Sequence, residues 1–195
     1  MSTLVTTNLK NPSSSGNNIV LNADGSTTPG LGKVLQVKQV SSSAVQSTQS
    51  TSMVDVPGMF VSITPTLSTS QILCHASISL SFDVEGYVQL IRTVSGTSSL
   101  IGSGTTSNYN GFGGGYSGGS GGGTYYYGVH NQSTTTLDAA VNTSAHTYQL
   151  QWHQIAGNYC VMNASYYAFA GGGGFSNVNY TPNGFSSITL YEIGA

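Results

Sequence analysis

Six carboxylates and four histidines are all that the 195 residues offer for acid–base or metal chemistry. Glycan cleavage needs two carboxyls held opposite one another across a sugar. Asp24, Asp55, Asp83, Glu85, Asp138 and Glu192 instead fall mostly in turns or at the ends of alternating segments. Asp83 and Glu85 read as turn formers that hold water. A metal site needs ligands at close, regular spacing. His75, His130, His146 and His153 are scattered, and His75 and His153 lie on the polar faces of their segments. Serine is too common for any one to stand out as a nucleophile. The expectation is a protein without catalytic residues, metal or cofactor. Cys74 and Cys160 sit among alternating apolar positions and read as reduced core thiols, a disulfide requiring that their two strands face each other.

A second palette is better supplied. Residues 102–128 hold Tyr109, Phe112, Tyr116, Tyr125, Tyr126 and Tyr127 in a background of Gly, Ser and Asn, and a shorter glycine run at 171–174 leads into Phe175. Rings give contact area at small entropic cost, and small polar residues adapt their hydrogen bonds to hydroxyl-rich ligands. These seven aromatics are the candidate ligand- or receptor-binding residues. The alternative is that they pack down on the body of the protein or on a neighbouring subunit, glycine merely permitting close approach.

Whatever holds these loops must be a β-scaffold. Ile72, Cys74, Ala76, Ile78, Leu80 and Phe82 alternate without a break against Leu73, His75, Ser77, Ser79 and Ser81, the pattern of a strand with one dry face. At roughly 3.3 Å per residue it spans about 36 Å, which calls for partners on both edges and a second sheet over the apolar side. Alternation recurs from Lys33 to Val40, from Met59 to Thr64, from Tyr87 to Val94, at Leu100–Ile101, from Thr134 to Ala140, from His146 to Ile155, from Asn158 to Phe169 and from Phe185 to Ile193; Ser41–Ser52 could add an edge strand. Asp83-Val-Glu-Gly predicts a hairpin between the second and third long strands, and Gly157-Asn158 predicts another. Eight or more strands without helical periodicity predict an all-β protein, a jelly-roll-like two-sheet sandwich over residues 33–195. Residues 1–32 read as an extended N-terminal arm with too little apolar surface to fold alone.

Charge is the unusual quantity. Four Lys or Arg and six Asp or Glu make up 5% of the chain, about a fifth of the usual share. Lys10, Lys33, Lys38 and Arg92 are scattered, which argues against nucleic acid, where phosphate contacts need clustered cations. No apolar run approaches a membrane span, so no membrane insertion is expected. The start Met1-Ser-Thr-Leu-Val lacks the features of a secretion signal, and cytoplasmic synthesis is the expectation. Asn131, Asn142, Asn163 and Asn179 head N-x-Ser/Thr patterns that carry no weight without a secretory route.

The run Asn8-Leu-Lys-Asn-Pro-Ser-Ser-Ser-Gly-Asn-Asn-Ile-Val-Leu-Asn-Ala-Asp-Gly resembles the N-terminal segment of structural proteins from tailed bacteriophages, particularly phages of cyanobacteria and other aquatic bacteria. Gly32-Lys-Val-Leu-Gln-Val, Val61-Ser-Ile-Thr-Pro, Ser70-Gln-Ile-Leu and Ser186-Ser-Ile-Thr-Leu-Tyr-Glu-Ile are similar to a C-terminal module of the same virions. The resemblance implies a short fibre, collar or capsid-surface protein, usually a homotrimer, assembled in the host cytoplasm and displayed on the virion surface. It implies docking of the arm on capsid, neck or tail proteins, with Leu9, Pro12, Ile19, Val20 and Leu21 as candidate anchoring residues, and a distal knob that could meet a host-surface glycan. A closed trimer suits a charge-poor fibre, because each sandwich can bury one face against its neighbours. The rival expectations are a free carbohydrate-binding lectin-like module and, further off, a glycan-cleaving enzyme.

Overall fold

The computed structural model describes residues 34–82, 85–101, 112–116, 129–154, 159–164 and 184–194, together with the backbone of 8–9, 19–21 and 27–28; at 85 and 113–116 it describes the backbone alone. Among the described residues every regular element is a strand. In the arm, β1 (Asn8–Leu9), β2 (Ile19–Leu21) and β3 (Thr27–Thr28) pair antiparallel into a small sheet, Leu9 opposite Ile19 and Leu21 opposite Thr27. The backbone of the arm thus folds back on itself, which its composition alone did not announce.

The body consists of β4 (Val34–Ser42), β5 (Gln46–Thr48), β6 (Val54–Ile63), β7 (Gln71–Phe82), β8 (Glu85–Val94), β9 (Thr97–Ile101), β10 (Gly113–Tyr116), β11 (His130–Ala139), β12 (His146–Gln154), β13 (Cys160–Met162) and β14 (Ser186–Ile193). Every pairing is antiparallel. Three positions are each filled by two short strands end to end. β9 and β10 share one edge of β8, along Leu90–Val94 and Glu85–Val88. β14 and β13 share one edge of β7, along Gln71–Ser77 and Leu80–Phe82, and β4 and β5 lie outside them in turn. Sheet I therefore runs β11, β7, β13/β14, β4/β5, and sheet II runs β6, β12, β8, β9/β10. Numbering the eight positions along the chain gives the orders 6-3-8-1 and 2-7-4-5, the connectivity of a jelly roll. The sandwich expected from the alternation is present.

The core is the set of dry faces. Ile72, Cys74, Ala76, Ile78, Leu80 and Phe82 of β7 are buried beside Ile188 and Leu190 of β14, and Val88, Leu90, Tyr148, Leu150, Trp152, Val56, Met59, Val61 and Ile63 meet them from sheet II. In β6 the pairing with β12 slips where Gln149 is opposite Phe60 but Gln151 is opposite Asp55. Pro57 and Gly58 occupy this bulge, Gly58 at φ +71°, a conformation that costs a side-chain-bearing residue about 1 kcal/mol or more. Cys74 and Cys160 are free and buried. Their strands are neighbours in sheet I, but Cys160 pairs with Phe82, at the other end of β7 from Cys74.

Two expectations are corrected. β7 and β8 do not form a hairpin, nor do β12 and β13: in each case the partners lie in opposite sheets. A strand with one apolar face can bury it beside a neighbour or beneath one, and local alternation is identical in both cases. Both edges of β7 are taken, by β11 over Gln71–Leu80 and by β14 and β13, so the chain passes to sheet II between Phe82 and Glu85. Gly86 permits this crossing, because a Cβ there would collide with the Phe82 ring and meet the His153 carbonyl at 3.0 Å.

Ser79 and Ser81 also depart from expectation: on the outward parity of β7, they are nonetheless buried. Here the strand split between β13 and β14 is stitched together by Asn163, itself fully buried at φ 63°. The Asn163 backbone N–H donates to the Ser79 carbonyl, and its carbonyl accepts from Gly184 N–H, each at 2.9 Å. Its Nδ2 donates to the carbonyls of Ser42 and Ala44 at 3.0 Å, bridging the break between β4 and β5. Its Oδ1 accepts from Ser186 Oγ at 2.7 Å. One asparagine therefore satisfies two interrupted strands at once. Its burial also removes Asn163 as a glycan acceptor.

Candidate functional site

The topology sorts the connections to two ends, except those from β4 to β5, β9 to β10 and β13 to β14, which join the halves of the three split positions midway along the neighbouring strand. At one end β4 begins at Val34, where the arm arrives, and β14 finishes at Ile193. The links from β6 to β7, β8 to β9 and β11 to β12 lie there too. At the other end are the links from β5 to β6, β7 to β8, β10 to β11 and β12 to β13. Residues 117–128 of the glycine and tyrosine tract belong to the β10–β11 link, so the tract returns to the body opposite the arm.

The arm end is tied by buried polar groups. Glu192 is fully buried. Its Oε1 accepts from the Thr66 backbone N–H, Thr66 Oγ1 and Ser70 Oγ, each at 2.7 Å, and its Oε2 accepts from Gln36 Nε2 at 2.6 Å. Burial alone would push this carboxyl up. The hydrogen bonds from Gln36, Ser70 and Thr66 outweigh it and hold Glu192 below the ordinary 4.5. Charged Glu192 thus clamps the β6–β7 link onto β14 and β4. Its contribution is full above the unfolded value of 4.5 and is lost as pH falls through the lower folded value. Glu192→Gln should lower stability by about 2 kcal/mol at neutral pH. In urea titrations from pH 7 to pH 2, that gap should shrink below pH 4.5; a gap independent of pH would show that Glu192 is not charged in the clamp.

A second knot crosses between the sheets. Arg92 Nη1 of β8 donates to both oxygens of Asp138 on β11, at 2.7 and 2.8 Å, and to the Ala139 carbonyl at 3.3 Å. Tyr148 of β12 donates to Asp138 Oδ2 at 2.8 Å. Burial, then the charge and hydrogen bond of Asp138, push the Tyr148 phenol well above its usual range, so it stays a donor. Burial, with Asp138 second, pushes the Cys74 thiol up to about 12. Beside this knot, His146 is buried with Nδ1 2.7 Å from the Ser144 carbonyl and Nε2 accepting from Val141 N–H at 3.4 Å, which assigns the proton to Nδ1. The two best-placed carboxylates, Asp138 and Glu192, are therefore engaged in holding strands together. Among the described residues no group of three His, Cys, Asp or Glu is placed to hold a metal ion, and no helix is long and apolar enough to cross a membrane.

Of the aromatic candidates, Phe112 is half-buried and packs against the core, its backbone N–H donating to the Val88 carbonyl at 3.1 Å. Tyr116 closes β10 opposite Glu85, with only its backbone described. Tyr109, Tyr125, Tyr126, Tyr127 and Phe175 lie outside the described residues, as does Pro12 of the arm. Leu9 sits on β1 and Ile19, Val20 and Leu21 on β2 of the small arm sheet.

The outer face of sheet II carries features that were not singled out in advance. Tyr87 and His153 are cross-strand partners whose rings stack at 5.4 Å and 21°, and His153 is buried where a solvated histidine was expected. Further along, Gln89 Nε2 donates to Gln151 Oε1 at 2.7 Å and Gln151 Nε2 to Asp55 Oδ1 at 2.8 Å, an amide ladder across three strands. A hydroxyl ladder pairs Ser62 with Thr147 and Thr93 with Ser98, both at 2.8 Å. Between the ladders lie Phe60, Gln149, Ile91 and Leu100, with Phe60 exposed. The signal was available as polar residues at outward positions, but pairing across strands decides which of them meet. No protein-family model matches the chain, and no curated protein sequence does.

Proposed function

We propose that this chain is a structural protein of a tailed-phage virion, a trimeric short fibre or capsid-decorating knob that its N-terminal arm fixes to the particle. The observation that supports this reading is the polarity of the sandwich: the arm enters at one end, and residues 117–128 of the glycine and tyrosine tract link β10 to β11 at the other. Such a body can be mounted by one end while the other faces the host. Its charge-poor surface of hydroxyls and amides suits contact with capsid and glycan surfaces, and the reading assigns it no reaction. Deleting residues 1–32 should abolish binding to particles that lack the protein, while the remaining chain keeps its β-rich circular dichroism. Truncated protein that still decorates those particles would contradict the anchoring role.

A free carbohydrate-binding module is the second reading, and the outer face of sheet II favours it. Amide and hydroxyl ladders beside exposed Phe60 present donors, acceptors and a ring on one flat surface. Saturable binding on a glycan array by a protein missing from purified virions would favour this reading over the first.

A further inference from the structure

We infer that the bulge of β6 builds a subsite for a neutral sugar ring on the outer face of sheet II, with Phe60 as the ring it stacks on and Gln149 and Asp55 as the groups that bind its hydroxyls. The inference rests on the carbohydrate-binding reading above, whether the chain is free or mounted on a particle, and names the residues and the class of sugar.

The site starts from a break in register. Between Phe60, opposite Gln149, and Asp55, opposite Gln151, β6 takes five residue steps where β12 takes two. Residues five apart on an unbroken strand face opposite sides. The bulge turns both Asp55 and Phe60 outward, re-aiming a side chain as such irregularities do elsewhere. It is held from behind, because Gln46 Nε2 of β5 donates to the Pro57 carbonyl at 3.1 Å. Pro57 and Gly58 are exposed between the two side chains, and a Cβ added to Gly58 would meet nothing within 4 Å. The space beside the bulge is open.

Gln149 is the amide on this face that the fold leaves unused. Gln89 and Gln151 are joined to Asp55 Oδ1 in the amide ladder, and the four hydroxyls of the other ladder pair among themselves. Gln149 sits between Phe60 and Ile91, whose side chains offer it no hydrogen bond, and its amide has no partner among the described residues. Asp55 Oδ2 has none either. The face thus holds two donors and an acceptor on Gln149 and a charged acceptor on Asp55, in rows about 7 Å apart along the strands. Phe60, 53% exposed, adds an apolar ring beside them.

A sugar ring matches that set. Its C–H face stacks on an aromatic ring while the hydroxyls on its rim donate to a carboxylate and exchange hydrogen bonds with an amide. Charge decides between occupants. The described residues of this face include no Lys or Arg, since Arg92 turns inward to Asp138. A phosphate, sulfate or uronate would therefore meet Asp55 with no cation to pair it, and a second copy of the same face would bury Asp55 unpaired. A neutral sugar incurs neither cost.

The test is a titration of the full, isotope-labelled chain with maltohexaose, cellohexaose and mannohexaose, and with hexagalacturonate as the anionic comparison, read by NMR at the glutamine side-chain amides and by light scattering. At least one neutral sugar should shift the Gln149 amide saturably, hexagalacturonate should not, and the solution mass should stay that of the unliganded protein. Phe60→Ala and, separately, Gln149→Ala should weaken binding by about tenfold or more. Phe60→Trp should retain it, and Leu137→Ser, on the outer face of sheet I, should leave it unchanged, with thermal melts confirming that each variant folds. Binding indifferent to both alanine substitutions would overturn the subsite and leave the carbohydrate-binding reading standing. No shift with any neutral sugar would also overturn it, and the wider reading falls only if the glycan array is blank as well. A solution mass that changes on Phe60→Ala would make this face a contact between copies and overturn the inference too.

Discussion

Asn163→Ala should cost about 3–6 kcal/mol, a large part of the 5–15 kcal/mol that holds a domain of this kind together. The substitution strips the Ser42 and Ala44 carbonyls, on partly exposed and exposed residues, and the buried Ser186 hydroxyl of their partners. The buried hydroxyl left unpaired costs about 1–3 kcal/mol, and the two carbonyls, which water can reach, about 1 kcal/mol each. Alanine at φ 63° adds strain that asparagine tolerates better. Urea unfolding should give the order wild type, then Gly, then Ala at position 163, because glycine loses the same hydrogen bonds without the strain. Asn163→Asp should be worse than Ala at neutral pH, since it aims a carboxylate at two carbonyls, and should recover in part under acid. An Asn163→Ala protein within about 1 kcal/mol of wild type would show that the split strand is held elsewhere.

Asp138→Ala should cost about 2–4 kcal/mol, since Arg92 and Tyr148 lose their shared acceptor with the ion-pair side chains 14% and 13% exposed. The loss comes from the partners left behind, so the double substitution Arg92→Met with Asp138→Leu should regain most of it. Asp138→Asn keeps an acceptor for Tyr148 but not the charge for Arg92, and should fall between. Thermal melts of the four proteins check the ordering. A double variant no more stable than Asp138→Ala would mean that the knot acts through shape instead of charge.

What could be read from the sequence was one-dimensional. The dry row Ile72 to Phe82, the buried trio Tyr148, Leu150 and Trp152, and the closing strand with Ile188 and Leu190 follow from period-two alternation, and each is buried as its pattern says. Which sheet a strand joins does not follow from alternation, so β7 with β8 and β12 with β13 read as hairpins when they are crossings. Interruptions hide in the same way. The alternation stops at Ile101 and returns only at Thr134, yet Gly113–Tyr116 forms a strand on the same edge of β8 as Thr97–Ile101. Asn163 lay within the alternation read from Asn158 to Phe169, but β13 stops at Met162, and the importance of Asn163 comes from the gathering of β13, β14, β4 and β5 around it. Glu192 read only as one of six carboxylates lying mostly in turns or at the ends of alternating segments. The return of the β6–β7 link over β14 gives it three donors, and Gln36 of β4 gives the fourth.

The same limit applies to function. Aromatic residues in glycine-rich loops are visible as composition, but the end of the sandwich at which the loops emerge depends on the order of eight strand positions. That order sets the arm against the tract, and it is the reason for reading the chain as a mounted knob.

The most direct measurement is quantitative mass spectrometry of purified virions from a lysate that produces this chain. The account expects the chain in every particle, at a copy number that is a multiple of three, and its loss from particles when residues 1–32 are deleted. A chain abundant in the lysate and missing from purified particles would contradict it.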